Sequence, residues 1–244
     1  MKKITSILLL AIISLGTIAQ ETNISGINQI LREKQYEMRE YNEQMLNKIK
    51  GTPYLSEEFL SSRVYLKDNK KPLEAKLKYN AHSDNFEFIQ GGRLFVLANI
   101  EEIDSIRYMD KTFIPTTYVK KQTGLFGSST SKKEGFLAEL VNGPCSLFKI
   151  YSVKFYEEDP PDTGYDEYQP PRFETENPVY CLQFQDDAHP MVINSFRKRK
   201  LLEKFGDYEK ELEGYVNNHN LNLREETDLV RLIRYYNKHY KNQN

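Results

Sequence analysis

The side chains that most often bind metals are few and scattered in this sequence of 244 residues. Its four histidines lie far apart, at His82, His189, His219 and His239. Zinc sites usually show spacings such as His-Glu-x-x-His or Cys-x-x-Cys, and the chain contains neither. We therefore predict that each histidine is a turn or surface residue, and that the protein has no metal ligands and no cofactor.

An acidic segment, residues 157–172, offers carboxylate oxygens of the kind that calcium prefers. The same segment contains Pro160, Pro161, Pro170 and Pro171. A calcium loop needs oxygen ligands at alternating positions around a central glycine, and this segment lacks that pattern. Its composition is typical of a solvated loop.

The sequence carries no motif of an activated nucleophile. It has no Gly-x-Ser-x-Gly elbow, and the Gly/Ser-rich segment 124–135 lacks the spacing of a phosphate-binding loop. We predict that this segment is an exposed loop. Two carboxylates that meet only in space, as in glycoside hydrolases, leave no such motif, so a hydrolase stays an alternative. The sequence thus predicts no catalytic residues, and a non-enzymatic protein is favoured over an enzyme.

Cys145 and Cys181 are the two cysteines of the chain. If the protein is exported, these two cysteines can form a disulfide, because disulfides persist outside the cytoplasm. Alternation along residues 180–184 places Cys181 on the face opposite Leu182, whereas Cys145 shares its face with Leu147. This mismatch favours two free thiols over a bond, since a disulfide needs close Cα atoms and converging side chains.

The first 19 residues, 1–19, have the three parts of a bacterial signal peptide. Lys2 and Lys3 give a positively charged start, an apolar run covers residues 7–13, and small residues lead to the end. Cleavage is predicted between Ala19 and Gln20. The apolar run is too short to span a bilayer, and no cysteine at the cut is present to carry a lipid. We expect a mature chain without a transmembrane segment, located in the periplasm or secreted.

The charge and the aromatic content of the mature chain limit its partners and its fold. Removal of the predicted signal peptide leaves 32 basic and 35 acidic residues, a net charge of −3. Such a balance does not favour nucleic acid as a partner. The chain has 17 Tyr, 13 Phe and no Trp, a composition typical of half-buried sheet surfaces.

Residues 20–50 show the apolar period of one amphipathic helix. Ser25 is suited to cap its start, and Gly51 with Pro53 forms a strong stop. The apolar stripe consists of Ile27, Leu31, Met38, Tyr41, Met45 and Ile49. This helix either docks a partner or covers one face of the protein's own sheet, and the second role is favoured.

Residues 51–196 change to a period of two, which is typical of antiparallel strands with one buried face. Alternation is strictest from Leu73 to Tyr79, and the Gly91-Gly92 pair predicts a tight hairpin between the last two strands of a three-stranded meander. Further strands are predicted over residues 63–66, 105–109, 113–119, 136–141, 147–156, 179–185 and 191–194.

Residues 197–244 return to a helical period and predict a pair of helices, with Asn222 and Glu225 in capping-box positions of the second. The basic run 197–200 is more typical of a solvated helix face than of a phosphate site. The predicted fold class is therefore α+β and mainly antiparallel β. We expect a curved meander sheet or a partly open barrel, packed by the N-terminal helix and the C-terminal helical pair.

Three short segments of the mature chain form a recognisable set. They are Gly51-Thr-Pro-Tyr-Leu55 with Phe59, Tyr79-Asn80 with Asp84 and Glu87-Phe88, and residues 229–237 with Tyr235-Tyr236-Asn237. Together they resemble a loosely defined group of small exported proteins from Bacteroidota-type bacteria. The resemblance implies a location in the cell envelope or outside the cell, and it implies no activity and no catalytic residues.

These features lead to one functional hypothesis and two alternatives. The hypothesis is a non-enzymatic binding or structural protein of the bacterial cell envelope, whose partner is another envelope protein or a small ligand. One alternative is a secreted hydrolase with a carboxylate pair assembled in space. The other is a carrier that encloses a small apolar ligand within a curved sheet.

Overall fold

The described part of the chain covers the predicted sheet and the C-terminal helices. The computed structural model describes residues 49–98, 100–124, 127–160 and 167–240. The predicted signal peptide, its cleavage site at Ala19 and Gln20, and nearly all of the predicted helix over residues 20–50 lie outside the described residues. Those predictions stay predictions.

Most of the described chain between residues 60 and 192 forms strands. They are Leu60–Leu66 (β1), Leu73–Asn80 (β2), Asn85–Gln90 (β3), Arg93–Val96 (β4), Ile103–Tyr108 (β5), Lys111–Gly124 (β6), Gly127–Val141 (β7), Cys145–Ile150 (β8), Val153–Tyr156 (β9), Arg172–Thr175 (β10), Val179–Phe184 (β11) and Met191–Val192 (β12). A short 3₁₀ helix, Ile100–Glu102, precedes β5.

Ten of these strands form one sheet in the order β12-β11-β8-β7-β6-β5-β1-β2-β3-β4, and β9 and β10 form a separate hairpin. All neighbours in that order are antiparallel, which confirms the prediction of a mainly antiparallel fold. In addition β12 pairs in parallel with β6, at Met191 and Val119. This contact closes β6, β7, β8, β11 and β12 into a mixed five-stranded barrel, where a curved meander sheet or a partly open barrel was expected.

Two segments predicted as exposed loops are partly strand. In the segment 124–135, β7 begins at Gly127, and the β6–β7 hairpin stays paired as far as Gly124 and Gly127. Apart from Leu125 and Phe126, the outer part of this segment consists of glycine and polar residues, so it has no hydrophobic period from which a strand is predicted. The segment 157–172 is drawn together by a bridge between Asp159 and Gln169, and it ends where β10 begins.

Three groups of buried side chains form the core. The barrel interior is filled by Leu137, Phe148, Ile150, Cys181 and Val192. A second group, centred on aromatic rings, is contributed mainly by β1 to β6. Within it Phe86 contacts Tyr79, Phe113 and Phe136, with ring centroids 4.9, 5.3 and 5.0 Å away. These rings join the meander to the long strands of the barrel.

The third core group lies between the outside of the barrel and the C-terminal helices. The helices are Lys198–Leu202 (α1), Glu209–Asn218 (α2) and Glu226–Tyr240 (α3), with the 3₁₀ helix Glu203–Tyr208 between α1 and α2. The predicted C-terminal pair corresponds to α2 and α3. No helix within the described ranges is long and apolar enough to cross a membrane.

The backbone N–H of Asn222, ahead of α3, donates to the Asp228 carboxylate at 2.9 Å. The predicted pairing of Asn222 with Glu225 is therefore replaced by one with Asp228, three positions further along the chain, because α3 begins only at Glu226. This contact fixes the entry into α3.

Asn237 fixes α3 to the sheet. Its side chain accepts a hydrogen bond from the backbone N–H of Cys145 and donates one to the carbonyl of the same residue, both at 2.8 Å. Asn237 is buried, so the amide acts as a strand partner for the first residue of β8. The position of α3 therefore depends on one side chain as well as on apolar packing.

Replacement Asn237→Ala should lower the free energy of unfolding by roughly 2–4 kcal/mol, because two buried backbone groups lose their hydrogen-bond partner. Urea denaturation followed by circular dichroism measures this change. Lys238→Ala is the matched control, since Lys238 is the exposed neighbour on the same helix and should change stability by less than about 0.5 kcal/mol. Equal stability of the two variants would contradict the assignment.

Candidate functional site

The four histidines singled out by the sequence lie apart in the fold. His82 contacts the carbonyl of Val153 through Nδ1 at 3.0 Å, and His189 lies beside Lys132. His219 and His239 flank a stacked tyrosine pair on α2 and α3. Among the residues that the structure describes, no three His, Cys, Asp or Glu side chains lie close enough together to hold a metal ion.

Cys145 and Cys181 are buried free thiols. In the β8–β11 ladder Cys145 lies opposite Phe184 and Cys181 lies opposite Phe148, so the two cysteines are three positions out of register. That odd offset places Cys181 inside the barrel and Cys145 on the face covered by the helices. The disulfide alternative does not fit this arrangement, because the side chains point to opposite faces. Burial raises the pKa of both thiols, and that of Cys181 to about 12.

A cleft opens where β2 and β3 separate. The two strands pair only at Lys78–Asn80 and Asn85–Glu87, next to their turn. Beyond those pairs β2 continues to Leu73 beside β1, and β3 continues to Gln90 beside β4. Residues 73–77 and 88–90 therefore each have a strand partner on one side only.

The cleft has a volume of about 890 Å³ and is walled by β1, β2, β3 and the end of β5. Its lining residues are Phe59, Ser61, Ser62, Arg63, Glu74, Ala75, Lys76, Phe88, Ile89, Gln90, Gly91, Arg107 and Met109. Three of them are cationic and one is anionic, so the lining carries a net positive charge. The sequence predicted that one face of β2 is exposed to solvent, but it did not predict that β3 separates from β2 to form the opposite wall of a cleft.

Arg63 and Arg107 lie directly opposite each other on β1 and β5. Like charges in that position are destabilising by a few tenths of a kcal/mol to about 1 kcal/mol. The charge of Arg63 is offset by an ion pair with Glu74 at 3.5 Å, and the side chains of both partners are exposed. Within the described chain Arg107 has neither an ion pair nor a side-chain hydrogen bond. The cleft thus holds a cation that the fold itself leaves unneutralised.

Two large apolar side chains are exposed at the cleft. Ile89 and Met109 are 57% and 52% exposed, and a single other large hydrophobic residue of the described chain, Tyr168, is comparably exposed. Met109 also has a φ of +57°, a left-handed conformation that is uncommon for a residue with a bulky side chain. Ile89 and Met109 therefore add apolar surface to a cleft that is also lined by three cations.

A cluster of aromatic and charged side chains covers the paired part of β2 and β3, where the cleft ends. The Lys78 ammonium lies 3.7 Å from the centre of the Tyr54 ring and 3.4 Å from a Glu57 carboxylate oxygen. Burial, and after it the nearby Glu87 carboxylate, raises the pKa of the Tyr54 phenol. Glu87 itself accepts a hydrogen bond from the Asn80 side chain at 2.9 Å. These contacts hold the segment that precedes β1 and fix one end of the cleft.

Asp84 fastens the β2–β3 turn to β7. Its carboxylate accepts hydrogen bonds from the Tyr79 hydroxyl at 2.7 Å and from the backbone N–H of Phe136 at 3.2 and 3.3 Å. Gly135 makes room for this contact, because a Cβ at that position would overlap the carboxylate. Asp84 has a φ of +54°, which aspartate tolerates in turns. Burial raises the pKa of the Asp84 carboxyl, although both hydrogen bonds act to lower it.

The sequence did not predict the cleft, and the reason is physical. Alternation from Leu73 to Tyr79 predicts the strand β2 and the exposure of Glu74 and Lys76, and the structure confirms both. Lys78, predicted on the same exposed face, is buried instead, because Tyr54 and Glu57 cover it. The separation of β2 from β3 depends instead on the attachment of Asp84 to a strand more than fifty positions away. A local signal that was not used is Ile89, an apolar residue directly before the Gln90-Gly91-Gly92 turn, where side chains are ordinarily exposed.

No protein-family model, curated protein or solved structure matches the chain. The inference of function therefore rests on the geometry and charge of the cleft.

The raised pKa of Asp84 predicts a specific pH dependence. The folded state holds this proton more tightly than the unfolded state, whose carboxyl has a pKa near 3.8. The stability that the protonated Asp84 carboxyl contributes is therefore fully present below the unfolded-state pKa. It is lost as the pH rises through the folded-state pKa. Relative to Asp84→Asn, the wild-type free energy of unfolding should fall as the pH rises above about 3.8.

Urea denaturation of both proteins across that pH range measures the difference. Asp84→Asn is the appropriate reference because the amide oxygen still accepts hydrogen bonds, while every other titrating group is shared. A wild-type protein that gained stability over the variant as the pH rose would contradict the burial assigned to Asp84.

Proposed function

We propose that this protein is an exported, non-enzymatic binding protein of the bacterial cell envelope, and that its cleft holds an extended acidic segment of a partner protein. The observation that carries the proposal is the separation of β2 from β3, which leaves two strand edges facing a common space. Strand edges of this kind bind extended peptides by adding their backbone to the sheet.

The backbone of the cleft supplies the first part of the recognition. Residues 73–77 of β2 pair with β1, and residues 88–90 of β3 pair with β4, so each edge has amide and carbonyl groups directed to the opposite side. An extended segment of about four to six residues fits a cleft of this length. Its hydrogen bonds give affinity without requiring a particular sequence.

The side chains of the cleft supply the preference for acidic partners. Arg63, Lys76 and Arg107 outnumber the single carboxylate of Glu74. Arg107 is already placed against a like charge, so a carboxylate from a partner relieves repulsion as it forms a charge-assisted hydrogen bond. Ile89 and Met109 offer apolar contact beside these cations. The preferred segment therefore alternates acidic and apolar residues.

The same observations favour binding over the two alternative functions. A carrier encloses its ligand, whereas the barrel interior is filled by the side chains of Leu137, Phe148, Ile150, Cys181 and Val192. A glycoside hydrolase needs two carboxylates in one cleft, and Glu74 is the one carboxylate among the described lining residues. Export and an envelope location are supported by the signal-peptide pattern of residues 1–19 and by the resemblance to small exported proteins.

A fluorescein-labelled octapeptide of alternating Glu and Val should bind the full mature chain, as measured by fluorescence anisotropy. The matching Lys/Val octapeptide should bind at least about tenfold more weakly, because it places cations against Arg63, Lys76 and Arg107. Binding of the Glu/Val peptide should weaken as salt is added, since the attraction is screened.

Arg107→Glu should weaken binding of the Glu/Val peptide by roughly tenfold or more, because a charge-assisted hydrogen bond contributes about 1.5–3 kcal/mol. Its free energy of unfolding should rise by about 0.2–1 kcal/mol, since an opposite charge then faces Arg63. Lys210→Glu makes the same charge change at an exposed position of α2 and is the matched control. Equal binding of both peptides, or equal effects of the two variants, would refute the proposal.

A further inference from the structure

The β6–β7 hairpin projects beyond the rest of the sheet. Val119 is the last residue of β6 that pairs with a third strand, β12. Within the described chain, residues 120–124 and 127–131 pair only with each other. Five residues of strand at about 3.4 Å each carry this two-stranded ribbon roughly 17 Å past its last neighbour. We name residues 118–124 and 127–133 the lysine arm.

The hairpin is basic, although the chain as a whole is not. Residues 111–133 contain five lysines and no Asp or Glu, whereas about one residue in seven of the whole chain is acidic. Four of these lysines belong to the lysine arm, namely Lys120, Lys121, Lys132 and Lys133. Lys120 is half-buried and the other three are exposed.

The fold does not neutralise the lysine arm. Within the described chain none of its four lysines forms an ion pair. The Lys132 Nζ lies 3.2 Å from Nε2 of His189, a contact that brings no negative charge. The arm therefore presents four positive charges to its surroundings.

The four lysines occupy both faces of the ribbon. Side chains alternate along a strand and ladder partners share a face, so the pairing of Val119 with Lys132 places Lys121 and Lys132 together. Lys120 and Lys133 lie on the other face. The two lysines of each face are diagonal neighbours, with backbone positions about 7–8 Å apart, and like charges at that distance repel. An anionic partner that reaches both faces removes this repulsion.

A fifth cation adjoins the lysine arm. The Asn194 side chain donates a hydrogen bond to the carbonyl of Lys121 at 2.9 Å, and Arg197 follows three residues later. Arg197 is exposed and has no ion pair within the described chain. The other three cations of the basic run 197–200 pair with carboxylates of α2 and of the neighbouring 3₁₀ helix.

We propose that the lysine arm binds the anionic phospholipid headgroups of a membrane surface. Clusters of about four to eight Lys and Arg residues are typical of such binding, because every cation near the surface adds to the attraction. The four arm lysines and Arg197 make a cluster of this size, and the projection of the ribbon lets it approach a surface ahead of the rest of the sheet.

The arrangement of the cations favours a lipid surface over other polyanions. A rigid protein surface meets one face of a ribbon, whereas lipid headgroups move laterally and neutralise both. Nucleic acids and other phosphate polymers are generally bound through the planar fork of arginine and through aromatic stacking. The arm's cations are all lysines, which act as point charges and need no fixed geometry in a partner. The arm is separate from the β2–β3 cleft and does not depend on its proposed function.

Cosedimentation of the full mature chain with vesicles tests the proposal. Vesicles of equal parts phosphatidylglycerol and phosphatidylcholine should bind the protein at least about tenfold more tightly than pure phosphatidylcholine vesicles. Binding should weaken as salt is added, because salt screens the attraction. The assay contains no peptide, so its failure is distinguishable from failure of the cleft to bind an acidic segment.

A fourfold variant of the lysine arm identifies the residues responsible. It combines Lys120→Gln, Lys121→Gln, Lys132→Gln and Lys133→Gln, and it should bind the mixed vesicles at least about twentyfold more weakly. The matched control combines Lys67→Gln, Lys70→Gln, Lys204→Gln and Lys210→Gln, which remove the same charge at exposed positions outside the arm and the cleft. Its binding should stay within about threefold of the wild type. Circular dichroism confirms that both variants are folded.

A fluorescent label on the wild-type arm locates the contact without removing a charge. Ser129→Cys places an exposed thiol on the ribbon, and both native cysteines are buried, so the label attaches at position 129. Ser83→Cys is the matched control, in the exposed β2–β3 turn at the other end of the long hairpin. Phosphatidylcholine that carries a nitroxide should quench the label at position 129 in mixed vesicles and leave the label at position 83 bright.

Four results would overturn the proposal. They are no binding to the mixed vesicles, equal loss of binding in the two fourfold variants, equal quenching of the two labels, and absence of quenching at position 129. Binding of the protein to dextran sulfate but not to vesicles would identify a soluble polyanion as the partner and would also count against a membrane.

Discussion

The attachment of Asp84 to β7 is the constraint on which the rest of this structure depends. The carboxylate joins the β2–β3 turn to the backbone of Phe136, so the meander is bent onto the long strands of the barrel. The aromatic core around Phe86 fills the space that this bend encloses. The carboxylate that makes this attachment is half-buried, and the loss of solvent around it raises the pKa of the carboxyl.

That constraint also explains where the cleft lies. The start of β3 is held by Asp84 at the β2–β3 turn, and the rest of β3 is held by its ladder with β4 and by the stacked rings of Phe88 and Phe95. Between these ends β3 leaves β2, and two strand edges face each other across a space lined by cations. The opposed pair of Arg63 and Arg107 lowers stability by placing like charges side by side, and it contributes to the positive surface of this space.

Local patterns were sufficient to predict most of the strands and the C-terminal helices, but not their closure. The alternation along β2 and the Gly91-Gly92 hairpin follow from short-range chemistry, so they were predicted and are confirmed. The barrel closes through β12, which has two residues and therefore no period to detect. The role of Asn237 was equally hidden, because an asparagine in a helix is ordinarily a surface residue, and only its contact with Cys145 shows otherwise.

Amide hydrogen exchange with and without the Glu/Val octapeptide tests the central claim most directly, because it reports on the strand edges themselves. The account predicts that the peptide slows exchange along residues 73–77 and 88–90, where each strand has one partner in the free protein, and leaves the barrel strands unchanged. Slowed exchange confined to other surfaces, or no change along those two edges under conditions where the peptide is bound, would contradict it.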